Sequence, residues 1–269
     1  MKVFPLKILF FVAFVGVAVG SSLAQSNGST VKRATPFIDG ETLTYEGKIS
    51  KIIRGIAVAD LTLTLAKAPD GEDFLVKAEA RSKGTLLKLF RFSFVQEVQS
   101  SIDSDTFRVM RTVKHDVQKE RVRDSEALFD YSERRVTYVE TDPNEPMRPP
   151  RRIASEIDDI NHDLISGLYS LRLMPLSVGK TFRMSVSDSG LVYDIPVRVT
   201  GREQQKTIFG KQWCFRVEPE VFGPNRLIER EGSMMIWITD DVRRLPVRSV
   251  VNSPYGKIDI RLKTAKNLR

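Results

Sequence analysis

Ala57-Val58-Ala59-Asp60-Leu61-Thr62-Leu63-Thr64-Leu65 decides the fold. Its alternate residues, Ala57, Ala59, Leu61, Leu63 and Leu65, are apolar. A period of two sends successive side chains to opposite faces of a strand, so the run reads as a strand with one buried and one wet face. The same alternation recurs on both sides of it. Leu43, Tyr45 and Ile49 precede it. Phe74, Val76, Ala78 and Ala80 follow a turn at Pro69-Asp70-Gly71. Next come Phe90, Phe92, Phe94 and Val98, then Phe107, Val109, Val113 and Val117, then Val136 and Tyr138. Beyond residue 180 the stripes are Phe182, Met184 and Val186; Leu191, Tyr193, Ile195, Val197 and Val199; Trp213, Phe215 and Val217; Leu245 to Val251; and Ile258, Ile260 and Leu262. Met234 to Ile238 is apolar throughout and reads as a central strand covered on both faces.

Two segments break the pattern. Thr141 to Arg152 holds Pro143, Pro146, Pro149 and Pro150 among charges. Proline removes backbone donors, so this segment reads as an exposed connection. Ile160, Leu164, Leu168 and Leu171 are spaced four, four and three, the period of a helix face. Asp158 or Asp159 is placed to cap that helix and Pro175 to close it. The expected fold is mostly β: a long curled antiparallel sheet, half-barrel like, packed on one main helix. About ten to twelve strands in an open sheet favour such a curl. It occupies residues 36–264 as one domain, or as two sandwich-like halves divided near residue 150.

The chain opens with Lys2 and Lys7, then an uncharged run from Ile8 to Val19, then Ser22-Leu23-Ala24. That layout is a signal peptide, residues 1–24, cut before Gln25. The apolar run is short of the roughly 20 residues that span a bilayer. The implied location is periplasmic or secreted, with no transmembrane anchor after cleavage. Residues 25–35 read as a flexible leader. The formal charge of +8 is spread among acids, densest at Arg148, Arg151 and Arg152. No basic stripe with interleaved aromatics occurs, so nucleic acid is not an expected partner; a lipid or envelope partner is. One cysteine, Cys214, cannot form an internal disulfide and reads as a structural thiol on a strand.

Several segments together carry a resemblance. Phe37-Ile38-Asp39-Gly40-Glu41-Thr42-Leu43-Thr44-Tyr45 opens the domain, and Gly55-Ile56-Ala57-Val58-Ala59 follows one strand later. Asp163-Leu164-Ile165-Ser166-Gly167-Leu168-Tyr169-Ser170-Leu171-Arg172 leads into Met174-Pro175-Leu176-Ser177-Val178-Gly179. Trp237-Ile238-Thr239-Asp240-Asp241-Val242-Arg243-Arg244-Leu245-Pro246-Val247 stands near the end. In order and spacing the chain resembles the bacterial envelope proteins grouped as domain of unknown function 3108, over about residues 36–264. The resemblance implies an exported all-β protein and no catalytic residues. The chain has His162-Asp163 where Asp-Pro is expected before the helix.

The chemistry-bearing residues are few. Asp240 and Asp241, adjacent on a chain, point to opposite faces of a strand unless a turn re-aims them. They read as a turn between strands, paired with Arg243 or Arg244. By strict alternation Arg111 and His115 share the face of Val109 and Val113, marking a wet cavity or a strand leaving the core. His162 and Ser166, four apart, share a helix face but lack a nucleophile elbow. No zinc spacing and no phosphate loop occur, so no metal and no cofactor are expected. Arg172, Tyr193, Trp213 and Trp237 join Arg111, His115, Asp240 and Asp241 as candidate ligand-binding residues. In a half-barrel the core face is also the face that takes a lipid-like ligand. The expected function is a binding or carrier module for an apolar ligand or envelope component; the alternative is a structural or interaction protein, with a hydrolase behind both.

Overall fold

The computed structural model describes residues 36–50, 55–69, 71 and 73–269. The signal peptide and leader lie outside the described residues. The strands are β1 (Glu41–Ser50), β2 (Ile56–Lys67), β3 (Asp73–Ser82), β4 (Phe94–Asp103), β5 (Val109–Gln118), β6 (Arg121–Asp130), β7 (Arg135–Thr141), β8 (Arg151–Glu156), β9 (Thr181–Asp188), β10 (Leu191–Thr207), β11 (Gly210–Pro219), β12 (Ser233–Thr239), β13 (Pro246–Ser253) and β14 (Gly256–Lys266). The helices are α1 (Gly84–Phe90) and α2 (Leu164–Leu173).

All strands form one 14-stranded antiparallel sheet in the order β8-β7-β6-β5-β4-β3-β2-β1-β14-β13-β12-β11-β10-β9. Two meanders run in opposite directions from the central pair β1–β14, so the regions on either side of residue 150 share one ladder through Thr42–Ser50 and Lys257–Lys266. Register shifts beside Tyr45, Lys48, Gly201 and Ile238 bend the strands, as bulges do. The helix α2 touches β3 and β4 of one arm and β9 of the other, so the sheet curls around it. Among the described residues no ladder joins β8 to β9, and the curl stays open. Its lips meet by packing instead. Gly190, in the β9–β10 turn, lies against β7 and β8, and a Cβ there would stand 2.6 Å from Tyr138 Cβ and 2.8 Å from Ile153 Cβ. The Ser155 hydroxyl donates to the Gly190 carbonyl at 2.7 Å.

The structure differs from the sequence reading at four places. First, β6 and β8 complete the strand count; Arg121–Asp130 and Arg151–Glu156 are too polar to show a stripe. Second, Phe90 does not begin a strand: it ends α1, and the inward positions of β4 are Phe94, Gln96 and Val98. Third, β5 carries an extra residue. Ile102 faces Val109 and Ser101 faces Arg111, so Met110 bulges and the faces swap beyond it. Arg111 and His115 therefore point outward, and Thr112, Lys114 and Asp116 take the inward positions. Fourth, α2 begins at Leu164, not near Asp158 or Asp159. Asp163 is the cap, and Ile160 lies outside the helix.

The main core comprises the inner faces of β1–β4 and β9–β14 closed on α2. A smaller cluster of Val109, Ala127, Phe129, Val136, Tyr138 and Ile157 lies at the β5–β8 end.

Candidate functional site

The helix is fastened at both ends by side chains from distant strands. At its start the Asp163 carboxylate accepts the Ile165 N–H at 2.9 Å and the Ser166 N–H at 2.7 Å, while Ser166 Oγ accepts the Asp163 N–H at 2.9 Å. This reciprocal box satisfies donors that a helix start leaves open. The second carboxylate oxygen accepts the hydroxyls of Ser100 on β4 and Thr112 on β5. Ser166 is thus occupied in the cap. His162, outside the helix, uses its backbone to bridge β9 beside Val186, so the two share no helix face.

At the other end Arg172 meets Glu41 with both side chains fully buried. Its Nη2 donates to Glu41 Oε2 at 2.8 Å and to the Arg243 carbonyl at 3.0 Å. The guanidinium lies over Phe37 and Tyr169, 5.1 and 5.3 Å from the ring centres. Close by, the Tyr45 hydroxyl donates to the Pro246 carbonyl at 2.9 Å. The opening Gly40-Glu41, the helical Leu171-Arg172 and the Asp241–Pro246 turn, far apart in sequence, converge here. Two buried charges cost several kcal/mol each to desolvate and are tolerated only when paired and hydrogen-bonded as these are.

Between helix and sheet there is little room. A gap beside Leu168 and Ile236 is about 10 Å³, and another, lined by sheet residues alone beside Gly47, Ala59 and Ala80, is about 20 Å³. A half-open cleft of about 50 Å³ opens at the start of α2. Val98, Leu164 and Ile165 line one side; Thr112, Lys114, Ser125, Tyr138 and Ser187 bring polar groups, and the carboxylates of Asp163, engaged in the cap, and Asp188 also border it. It holds a few waters or one small polar group, since one water needs about 10–15 Å³. Lys114 is half-buried, with no carboxylate within 4.0 Å among the described residues. The Tyr138 hydroxyl, hydrogen-bonded to Glu140 at 2.9 Å, is pushed up to about 12, chiefly by burial, and stays a neutral phenol. Lys114 escaped the sequence reading because its inward aim depends on the Met110 bulge.

The eight candidate residues do not gather. Arg111 and His115 lie on the outward face of β5, paired with Glu126 and Asp124 of β6. Tyr193 is on β10, beside the main core. Trp237 is covered by Arg248 and donates its indole N–H to Glu203. Trp213 is exposed, with Arg202 4.5 Å over its ring. Asp240 and Asp241 form the β12–β13 turn. Asp241 accepts the backbone N–H groups of Arg243 and Arg244 and pairs with the Arg243 guanidinium. Asp240 pairs with Arg202 and Arg244. Arg172 reaches that turn through the Arg243 carbonyl, and Trp213 through its own carbonyl, which accepts the Asp240 N–H at 2.8 Å. Cys214 is buried and its thiol is pushed up to about 12, first by burial and then by Asp241, so it is no nucleophile at neutral pH. No group of three or more metal-ligating side chains occurs among the described residues.

An open, barrel-like sheet wound on one helix defines the class. A β-barrel-like protein of domain of unknown function DUF1849 from Brucella abortus has this fold: TM-score 0.57 at 8% identity, over 87% of this chain and 99% of that one. A protein with a YmcC-like fold from Bacteroides fragilis aligns over 86% of this chain and 98% of its own at 13% identity, but with a TM-score of 0.33. No curated protein matches the chain. The family described as protein of unknown function (DUF3108) matches residues 42–263, and the chain belongs to it.

Proposed function

We propose that this chain is an exported, non-catalytic binding module of the cell envelope that takes a small anionic or hydroxyl-bearing group in the cleft at the start of α2. The observation that carries this is Lys114: a half-buried cation with no carboxylate within 4.0 Å among the described residues, facing hydroxyl groups, in a cleft whose Asp163 carboxylate is already taken up by the helix cap, Ser100 and Thr112, and which Asp188 also borders. Burying an unpaired cation is unfavourable, and an anionic group entering the cleft would relieve that cost. The filled space between helix and sheet argues against an enclosed lipid, which needs hundreds of Å³. Export rests on the layout of residues 1–24.

Titration with inorganic phosphate, acetate and simple sugars, followed by amide chemical shifts, tests the reading. Shifts should cluster at Thr112, Lys114, Ser125 and Ser187. Lys114→Met should abolish them while changing stability by less than about 0.5 kcal/mol, because no native ion pair is lost. Binding that survives Lys114→Met, or shifts confined elsewhere, would remove the cleft as the site.

A further inference from the structure

The β3–β4 connection presents a side of the molecule that the cleft does not use. Its sequence is Lys83-Gly84-Thr85-Leu86-Leu87-Lys88-Leu89-Phe90-Arg91. Leu86 is fully buried and anchors α1. The Lys83 N–H donates to the Val58 carbonyl at 2.7 Å, and the Thr85 hydroxyl donates to the Ala57 carbonyl. Arg91, left-handed at φ 53°, ends the helix and returns its N–H to the Leu87 carbonyl at 2.9 Å. The helix is thus held rigidly against β2. On that mount Leu87 is 49% exposed, Leu89 52% and Phe90 36%. At 100° per residue, Leu87 and Leu89 flank Lys88 on the outer side. The Lys119 N–H donates to the Ser93 carbonyl, which brings the β5–β6 turn alongside. Lys88, Arg91 and Lys119 have no carboxylate within 4.0 Å among the described residues, whereas the Lys83 charge is engaged by Glu46 and Asp60. Glu120 is the acid next to Lys119 in the turn.

We propose that α1 docks this protein on an anionic lipid surface, with Leu87 and Leu89 entering the headgroup–acyl boundary and Lys88, Arg91 and Lys119 meeting lipid phosphates. Exposed apolar side chains bordered by cations that outnumber the neighbouring acid, here Lys88, Arg91 and Lys119 against Glu120, are the pattern that lies in a bilayer interface. Lys88 between the two leucines can lay its methylene stem along them and raise its ammonium to the phosphates. A protein partner fits less well. The helix has seven residues and is about 10 Å long, a convex ridge, whereas stable protein interfaces bury roughly 1,200–2,000 Å². A lipid surface sets no such minimum.

The test is co-sedimentation of the exported protein, purified from its host, with vesicles of phosphatidylglycerol and phosphatidylethanolamine or of phosphatidylcholine alone. Wild type and variants are processed identically, so any contribution of the N-terminal region cancels. Wild type should partition onto the anionic vesicles at least tenfold better than onto phosphatidylcholine, and 0.5 M salt should weaken it. Leu87→Glu with Leu89→Glu should lose binding tenfold or more at an unchanged melting temperature. Lys88→Gln, which leaves the apolar ridge intact, should give a smaller loss confined to anionic vesicles. Equal partition of wild type and the double variant, equal binding to both vesicle types, or no binding at all would overturn the proposal. So would a cross-linked protein partner that the double variant loses while its vesicle binding stays at the wild-type level.

Discussion

The inward face of the β1–β4 and β9–β14 shell is mostly apolar, with a few buried polar groups such as Gln96 and Ser100, while the β5–β8 end of the same sheet turns many polar groups inward. In the shell the inward positions are residues such as Leu43, Leu63, Val76, Ile236 and Ile260, all buried. Across β5–β7 the corresponding positions hold Thr112, Lys114, Asp116, Ser125 and Glu140. Each region also handles charge differently. The shell contains one fully buried pair, Glu41–Arg172. The β5–β8 end has a network of buried carboxylates met by more exposed cations: Arg121 and Gln118 on Asp116, Arg123 on Asp142, and Arg148 4.0 Å from Asp142. One extra residue at Met110 separates the two regimes, because it turns Val113 and Val117 outward and their polar neighbours inward. A long sheet can therefore keep one backbone architecture while its lining changes from core to cleft.

The contrast breaks most readily at its buried charge. Arg172→Ala leaves Glu41 without a counter-charge in the shell and should cost about 3–5 kcal/mol in urea unfolding. Next is the lip of the curl. Gly190 has φ +81° and no room for a Cβ, so Gly190→Ala should destabilise by about 1–3 kcal/mol. Hydrogen exchange should quicken in β7 and β8 while β1 and β14 keep their protection. Arg123→Ala removes the near partner of the buried Asp142, where Arg148 stays 4.0 Å away, and should cost about 1–3 kcal/mol, less than Arg172→Ala. A loss equal to that of Arg172→Ala would show the two regions to be energetically alike.

The smallest effect is pH dependence on the outer face of the shell. Hydrogen bonding from Lys83, opposed by partial burial and reinforced by Lys263 and Lys48, holds the Glu46 carboxyl down at about 2. A lowered carboxyl favours the folded state above the ordinary carboxylate range, and that contribution is lost as pH falls from about 4.5 towards about 2. Glu46→Gln should flatten the acid limb of the stability curve in that window alone. An unchanged acid limb would mean that these surface ammonium groups contribute nothing measurable.

Much of the shell was legible because its strands alternate strictly. The helix was legible from Leu164, Leu168 and Leu171, but its start was not. Asp158 and Asp159 are equally good caps by residue type, and Asp163 is the cap because Ser100 and Thr112 reach it from β4 and β5. The strand β6 was invisible because both its faces carry charges. Phe90 looked like the start of a stripe, yet Leu86 anchors a helix there and leaves Phe90 at its end. The arginines stacked on Trp237 and Trp213, Arg248 and Arg202, come from neighbouring strands and leave no mark in the local sequence of either tryptophan.

The alternation and the helical spacing in this chain were enough to establish a mostly β protein curled on one helix, since side-chain period and backbone geometry are the same fact. The turn at Asp240-Asp241 was also readable, since Asp locally accepts backbone N–H groups. Which residues face the interior of β5, which aspartate caps the helix, and where a cleft remains were settled by strand register and by long-range partners. A single bulge reverses every side chain beyond it, and nothing in the local pattern of residues 109–118 records that one of them is extra.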